Sequence, residues 1–291
     1  MNSRESTGSL VWRCIYPFLI FMGAEMAVEI ILIMIYVAMY AGTMFTESGF
    51  DVQAYANGMI DFINKYSLYL IIVRGAILVP IYAFLMKKDR QKDAMVGNPT
   101  EYTPYNKSLL LLLPIAGFAA SIGFNGVVTL SGIAKYSPTY QAVEQVVYSG
   151  NIYVQILASV VAAPLVEEML LRGLLYKRIR TRLKETPAML ISAGVFGLIH
   201  GNIVQFVYAF LLGILLCYVY EKFKTIWAPV IFHAGANLIA ILITEFFAEF
   251  DAGLTIGSVM LITVISLAIT FLILKLFDLK ISREPIEKKY M

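Results

Sequence analysis

The sequence predicts an all-α protein, a polytopic transmembrane bundle of about eight helices with both termini in the cytoplasm. Three observations predict it. Hydrophobic residues make up 59% of the 291 residues and charged residues 15%, whereas a soluble domain carries about 25% charged residues. The mean hydropathy is +0.74. The apolar residues lie in long runs with short gaps, too short for a second core, so residues 1–291 are predicted to form a single integral membrane domain.

Each apolar run is close to the roughly 20 residues that a helix needs to cross a bilayer. In chain order the predicted spans are residues 15–41, 66–86, 108–132, 152–176, 187–203, 204–221, 225–247 and 253–274. The fifth and sixth spans nearly touch, and Gly201-Asn202 is the predicted turn between them. Thr186-Pro187 is typical of a helix start, because threonine caps an N-terminus and proline fits the first turn.

The distribution of Lys and Arg predicts the orientation, because cytoplasmic loops are enriched in both residues. Of the 23 Lys and Arg, two lie in outer loops (Lys65 and Lys135), two lie within spans (Arg74 and Arg172) and the other 19 lie in segments assigned to the cytoplasm. The outer loops are acidic instead, with Glu47, Asp51, Asp61, Glu144, Glu245, Glu249 and Asp251. A wrong number of spans would mix the signs, so both termini are predicted to be cytoplasmic.

The first group of charged residues within spans is Glu25, Glu29 and Arg74. A charge at the bilayer centre costs at least about 2.5–3.5 kcal/mol on insertion scales, so each such residue needs a partner or a function. Glu25 and Glu29 are four residues apart and share a helix face, and Arg74 lies at a similar depth in the second span. A structural ion pair between two helices is the favoured interpretation, and a catalytic or transport role is the alternative.

The second group is larger and supplies the candidate site. Its members are Glu167, Glu168, Arg172, His200, His233 and Asn237, which include the only two histidines of the chain. Residues four apart share a helix face, which places Glu168 beside Arg172 and His233 beside Asn237. At a rise of about 1.5 Å per residue, the depths of these residues along their helices allow the three spans to meet in a cavity. The cavity is predicted to open toward the cytoplasm. Six polar residues are costly as a mere packing device, which favours a functional site.

These residue types can activate water for amide hydrolysis. Glu168 is paired with Arg172, and Glu167 is then the candidate general base, although the choice between the two adjacent glutamates stays open. His200 is assigned to orient the water or to move its proton.

His233 and Asn237 are assigned to donate hydrogen bonds to the developing oxyanion. A metal version uses the same side chains, because Glu167, His200 and His233 with an open position also describe a catalytic zinc site. The sequence lacks the HExxH spacing of zinc proteases, and the cofactor stays open between a divalent metal such as zinc and none.

Three short motifs carry a resemblance to a known family. APLVEEMLLRGLLY with its EExxxR, VFGLIHG with its FxxxH and TIWAPVIFHAGANL with its HxxxN resemble the signatures of the CAAX-protease and bacteriocin-processing (CPBP) family of intramembrane proteases, the type II CAAX prenyl endopeptidase-like family. The resemblance covers residues 150–245, which are expected to form the catalytic core. It implies an eight-helix membrane bundle, water activation by Glu167 and His200, and oxyanion stabilisation by His233 and Asn237.

The expected function is that of an intramembrane endopeptidase in the plasma membrane, and the short loops and compact chain favour a bacterial protein. Its expected partners are the lipid bilayer and a hydrophobic peptide or lipidated protein substrate. No nucleic-acid partner is expected, because the basic residues lie in short loops between spans. The first alternative is a non-catalytic membrane immunity or partner-binding protein. The second is a transporter that uses Glu25, Glu29 and Arg74.

Overall fold

The computed structural model describes residues 5–40, 42, 45–46, 49–95, 105–148, 150–246 and 253–281. This part of the chain is helical apart from its connections and one pair of two-residue strands, so the predicted all-α class is confirmed. Its helices are α1 (Thr7–Tyr40), α2 (Val52–Met95), α3 (Leu112–Ser131), α4 (Pro138–Tyr148), α5 (Ile152–Ile179), α6 (Glu185–Leu198), α7 (Ile203–Phe223), α8 (Trp227–Phe246) and α9 (Ile256–Lys280). A 3-10 turn at Lys107–Leu111 leads into α3, and β1 (Phe45–Thr46) pairs antiparallel with β2 (Gly49–Phe50) between α1 and α2.

Seven of the described helices are long and apolar enough to cross a bilayer, and one predicted span is shorter. The span predicted over 187–203 is α6, which has 14 residues. At 1.5 Å per residue it is about 21 Å long, against a hydrocarbon core of about 30 Å. The predicted span extended beyond the end of α6, because residues 199–202 already form the turn.

That turn has the residues it requires. Gly201 has a φ of 72°, in the left-handed region that glycine enters without steric cost. The side chain of Asn202 then accepts a hydrogen bond from the backbone N–H of Gln205 and caps the start of α7. The turn predicted at Gly201-Asn202 is therefore confirmed, and it places His200 at the tip of the hairpin formed by α6 and α7.

The crossing of α3 and α8 is very close. A Cβ atom added to Gly117 would lie 2.1 Å from the carbonyl oxygen of Phe232, and one added to Gly235 would lie 2.6 Å from the carbonyl oxygen of Pro114. Small residues at helix interfaces allow such approaches within membranes. His233 lies on α8 at this crossing, so its position depends on the two glycines.

Helix α5 is irregular on both sides of the two glutamates. The α-helical segment Ala163–Glu168 is flanked by the π-helical segments Ile156–Ala162 and Met169–Tyr176. Pro164 has no N–H to donate to the preceding turn, which agrees with an irregular backbone hydrogen-bond pattern at this point of α5. π-Helical turns are rare and are frequent at functional sites, so the distortion singles out the segment that carries Glu167 and Glu168.

The two ends of the bundle differ in charge. Ion pairs join the helix ends at one of them, which is called the basic end below: Arg13–Asp89, Arg178–Asp89, Lys177–Asp93, Arg180–Glu221 and Lys222–Asp278. The opposite end carries α4 and is called the α4 end. Among the Lys and Arg residues that the structure describes, only Lys65 and Lys135 lie at this end. The fold therefore collects at one end the residues that predict the cytoplasmic side.

Candidate active site

A cavity of about 290 Å³ lies inside the bundle, between α5, α7 and α8 and next to α4. Its walls bring together four predicted site residues: Glu167, His200, His233 and Asn237. The other two, Glu168 and Arg172, lie behind the wall with fully buried side chains. The volume is at the lower end of the range for ligand pockets, about 300–1,000 Å³, and suits part of a peptide chain.

Glu168 is the centre of a buried polar cluster. Nη1 of Arg172 and Nδ1 of His233 each lie 2.9 Å from Oε1 of Glu168. Nη2 of Arg172 donates to the carbonyl of Gly213 at 3.0 Å, and its guanidinium lies 4.9 Å from the ring centroid of Phe196. The predicted pairing of Glu168 with Arg172 is confirmed. A buried charge pair needs such additional hydrogen bonds, because removing one partner leaves an uncompensated charge.

Glu167 has a different environment from its neighbour. Its side chain lines the cavity and is 20% exposed, and its Oε2 lies 3.8 Å from Nε2 of His233. That separation is too long for a direct hydrogen bond. Adjacent residues on a helix point about 100° apart, so one glutamate faces the cavity while the other packs into the interior.

Both histidines are anchored through Nδ1. Nδ1 of His200 lies 2.7 Å from the carbonyl oxygen of Phe196, and Nδ1 of His233 lies 2.9 Å from the carboxylate of Glu168. A carbonyl and an ionised carboxylate only accept hydrogen bonds, so each Nδ1 carries a proton and a neutral ring keeps its lone pair on Nε2. The two imidazoles also pack edge-on against the ring of Phe196, at centroid distances of 5.0 and 5.6 Å. Phe196 therefore sets the position of both rings.

Asn237 is held by α5. Its Nδ2 donates to the carbonyl of Ser159 at 2.7 Å, and the side chain lines the cavity. A carboxamide nitrogen has two N–H groups, so a second N–H remains for a group bound in the cavity.

The three residues of the predicted metal site have suitable donor atoms, but their side chains are not close enough together. Imidazole Nε2 atoms and a carboxylate are ligands that zinc accepts, and anchoring of the opposite Nδ1 is their usual support. Within the residues that the structure describes, however, no three His, Cys, Asp or Glu side chains are grouped closely enough to hold one ion. Glu167, His200 and His233 therefore do not fit a three-ligand metal site in this arrangement.

The cavity extends toward one end of the bundle. From His233 and Asn237 the walls continue to α4, through residues such as Tyr140 and Val143. On the other side of Glu167, every residue of Met169–Tyr176 is buried. The cavity therefore extends toward the α4 end, away from the basic end.

Helix α4 contributes site residues that the sequence-based reasoning missed, because its residues were taken as an outer loop. The hydroxyl of Tyr140 donates to Glu144 at 2.6 Å, and both side chains line the cavity. Burial, together with the neighbouring carboxylate of Glu144, raises the pKa of Tyr140, so this hydroxyl stays a hydrogen-bond donor. The spacing of Tyr140, Val143 and Val147 matches one apolar helix face and could have revealed the helix.

The first intramembrane group lies outside the cavity. Arg74 pairs with Glu25 and lies 4.7 Å from the ring centroid of Phe21, so the predicted ion pair between the first two spans is confirmed. Glu29 is exposed on α1. None of these residues lines the cavity at Glu167.

Together, the fold and the site define a helical membrane protein of many spans with a glutamate and two histidines on the wall of an internal cavity. Residues 149–239 match the family model of the Rce1-like type II CAAX prenyl endopeptidases, which confirms the predicted resemblance over that stretch. "Putative membrane peptidase YdiL" of Bacillus subtilis (strain 168) is 24% identical over 139 residues, which are 46% of this chain and 56% of the relative. The chain thus spans little more than half the length of the curated relative it matches. No solved structure matches the chain.

Proposed function

We propose that the protein is an intramembrane endopeptidase that hydrolyses peptide bonds with water activated by Glu167 and His200. The difference between the two adjacent glutamates carries this proposal. Glu167 lines the cavity, whereas Glu168 is held by Arg172 and His233 and cannot reach a substrate. The similarity of residues 149–239 to type II CAAX prenyl endopeptidases supports the reaction class.

In the proposed reaction, Glu167 removes a proton from the water whose oxygen attacks the peptide carbonyl carbon. His200 accepts a hydrogen bond from this water through its unprotonated Nε2, which orients the water. When the C–N bond breaks, the proton held by Glu167 passes to the amine nitrogen, so the glutamate returns to its starting state. A positioned general base contributes about 10²–10⁴-fold to such a reaction.

Asn237 and His233 are the proposed oxyanion donors. Nδ2 of Asn237 carries two N–H groups. One donates to the carbonyl of Ser159, and the other is available for the oxyanion. His233 can donate through Nε2 only when the imidazole is protonated on both nitrogens. The carboxylate of Glu168 at Nδ1 is then the counter-ion of that imidazolium, as in the serine-protease triad. Loss of one oxyanion donor typically costs about 10²–10³-fold in kcat.

The proposed substrate is a hydrophobic, membrane-associated peptide or protein, and the proposed setting is a bacterial plasma membrane. The cavity walls combine aliphatic side chains, such as Val143 and Val204, with the phenol groups of Tyr140 and Tyr208. Apolar walls with a few placed polar groups suit a hydrophobic ligand. The curated relative is a bacterial protein named as a membrane peptidase, which supports the setting.

Comparative peptidomics tests the proposal. Cells that produce the wild type, Glu167→Gln or Glu29→Gln are compared for peptides that depend on the protein. Glu29 is the matched control, because it is also an acid within a span but does not line the cavity. We expect product peptides in the wild type and in Glu29→Gln, and their loss in Glu167→Gln. If the same peptides appear in all three strains, their formation does not depend on Glu167. That result is expected of a non-catalytic partner-binding protein.

A further inference from the structure

We infer that the active site takes its peptide from the outer side of the membrane, through the part of the cavity that α4 borders. The substrate class is then a peptide segment presented outside the cytoplasm, with neutral or basic side chains near the scissile bond. This inference rests on the proposed function and adds the side of the membrane and the charge of the substrate.

The wall residues on each helix lie on the α4 side of the catalytic ones. On α5 they are Ser159 and Ala163, which precede Glu167 toward the start of the helix near α4. On α8 the wall continues past Asn237 to Ile241, toward the end of that helix. The contact of Gln155 with Glu245, at 2.7 Å, shows that the start of α5 and the end of α8 meet at this same end of the bundle.

The opposite direction is closed by packed side chains. Glu168, next to Glu167, has no exposed surface, and every residue of Met169–Tyr176 is buried. On α8, Phe232 has no exposed surface either, directly before His233, and it belongs to the main hydrophobic core. Protein interiors are packed like organic crystals, with few voids larger than a water molecule. A peptide therefore has no path to Glu167 from the basic end.

The charges identify the sides. Arg13, Asp89 and Arg178 join the start of α1, the end of α2 and the end of α5 at the basic end. These contacts show that the segments rich in Lys and Arg lie together at one end, as the predicted span order requires. Loops rich in Lys and Arg stay in the cytoplasm. The closed end therefore faces the cytoplasm, and the α4 end faces outward.

The charge of the walls restricts the substrate. Two carboxylates, those of Glu144 and Glu167, line the cavity, and no Lys or Arg does so among the residues that the structure describes. In a site of low polarity, like charges repel strongly and opposite charges attract. A peptide with acidic side chains, or with a free carboxylate close to the scissile bond, has no cationic partner here. Neutral and basic segments fit.

Thiol labelling tests the side of access. The background carries Cys14→Ser and Cys217→Ala, which remove both native thiols. Val143→Cys then places one thiol on the cavity wall of α4. A positively charged, membrane-impermeant methanethiosulfonate reagent is added to intact cells and, separately, to permeabilised cells. We expect Val143→Cys to react in intact cells and the modified protein to lose its cleavage products, because the added group occupies the cavity.

Two controls separate access from general exposure. Gln145→Cys, on the exposed face of α4, is expected to react in intact cells without any loss of products. Lys184→Cys, in the exposed connection after α5 at the basic end, is expected to react only after permeabilisation. Val147→Cys, which also lines the cavity, replaces Val143→Cys if the latter fails to fold.

The inference is overturned if the cavity thiol reacts only after permeabilisation, like Lys184→Cys, or if its modification from outside leaves cleavage intact. The labelling pattern does not depend on activity. If only the proposed function is wrong, the cavity thiol is still labelled from outside. If only this inference is wrong, cleavage still depends on Glu167.

Discussion

Two clusters within the spans are built from the same three residue types and behave differently. The Arg172 cluster consists of Glu168, Arg172 and Phe196, and the Arg74 cluster consists of Glu25, Arg74 and Phe21. In each, the arginine pairs with the glutamate and lies over the aromatic ring, at 4.9 Å in the first and 4.7 Å in the second. What differs is the surroundings.

In the Arg172 cluster both charged side chains have no exposed surface, whereas in the Arg74 cluster Glu25 is 40% exposed and Arg74 18%. Glu168 also binds His233, and Arg172 also binds the carbonyl of Gly213. The Arg74 cluster fastens α1 to α2. The Arg172 cluster, with its additional partners, fixes the tautomer of a cavity histidine. Packing and additional partners, rather than the ion pair itself, therefore distinguish the functional cluster from the structural one.

The surrounding helices show the same contrast. Five of the 34 residues of α1 are buried, compared with eight of the 20 residues of α3. Gly23 on α1 has no atom within 4 Å of an added Cβ, whereas Gly117 on α3 has a carbonyl oxygen at 2.1 Å. Helix α1 is a peripheral element, while α3 is part of the frame that positions the site.

The largest expected effect is that of removing each arginine. Arg172→Met leaves the carboxylate of Glu168 buried without its main partner, and breaking a buried pair costs about 3–5 kcal/mol. Arg74→Met is expected to lower the free energy of unfolding by less, because Glu25 is partly exposed. Thermal unfolding of the two purified variants in the same detergent measures the difference. Equal losses of stability would mean that burial does not distinguish the clusters.

A methyl group at each of two glycines is expected to have the next largest effect. Gly117→Ala forces α3 and α8 apart at Phe232, and overpacking typically costs about 1–3 kcal/mol. Because His233 follows Phe232, cleavage should also fall. Gly23→Ala is the control, since it meets open space and alanine favours a helix by about 1 kcal/mol over glycine. Melting temperatures and product yields check both, and a tolerated Gly117→Ala would contradict the close crossing.

The aromatic rings of the two clusters are also expected to differ in their effect on cleavage. Phe196→Leu removes a cation–π contact worth about 0.5–2 kcal/mol and the edge contacts to His200 and His233. We expect cleavage to fall more than stability does, because the histidines lose their common support. Phe21→Leu removes the equivalent contact to Arg74 and should leave cleavage unchanged. The cleavage rates of the two variants are compared at equal folded fractions. Equal rates would mean that Phe196 does not position the histidines.

The smallest expected effect concerns the start of α1, where Glu5 binds Arg13 and Lys92 at 2.7 and 3.0 Å. Burial acts to raise the pKa of Glu5, but hydrogen bonds from Ser9 and Lys92 and the charge of Arg13 outweigh it and lower the pKa from 4.5 to about 2. The folded state thus favours ionised Glu5, so its contribution is complete above pH 4.5 and is lost as the pH falls toward about 2.

Unfolding curves of the wild type and Glu5→Gln across this pH range measure that contribution. The wild type is expected to be slightly more stable near neutral pH, and the difference should vanish in acid. The effect is small because surface ion pairs contribute little. A difference that stays constant down to the most acidic pH would mean that the carboxylate of Glu5 is not responsible.

Several features of the fold and of the site follow from the sequence. Spans are recognisable because the bilayer demands long apolar runs. The pairing of Glu168 with Arg172 followed from residues four apart on one helix. The pairing of Arg74 with Glu25 followed from the cost of isolated charges in the membrane. These inferences rest on local spacing or on charge, and the structure confirms them.

Other features depend on tertiary packing and were missed. The contact between Glu168 and His233 joins residues 65 positions apart, and no local pattern encodes it. The predicted span over 187–203 included the turn at Gly201, so it ended later than α6 does. The extension of the cavity toward the α4 end depends on which end of the bundle is filled by side chains. Helix α4 is short and amphipathic, so it is not recognisable by the long apolar runs that identified the spans.

Glu167, and not its buried neighbour Glu168, is the proposed activator of the water for peptide hydrolysis. The most direct test is the cleavage rate of an identified product-forming peptide by purified wild type and Glu167→Gln in lipid vesicles, with equal melting temperatures confirmed beforehand. We expect Glu167→Gln to fold and to cleave at a rate lower by about 10²–10⁴-fold, the usual contribution of a general base. A folded Glu167→Gln that cleaves at the wild-type rate would contradict this expectation.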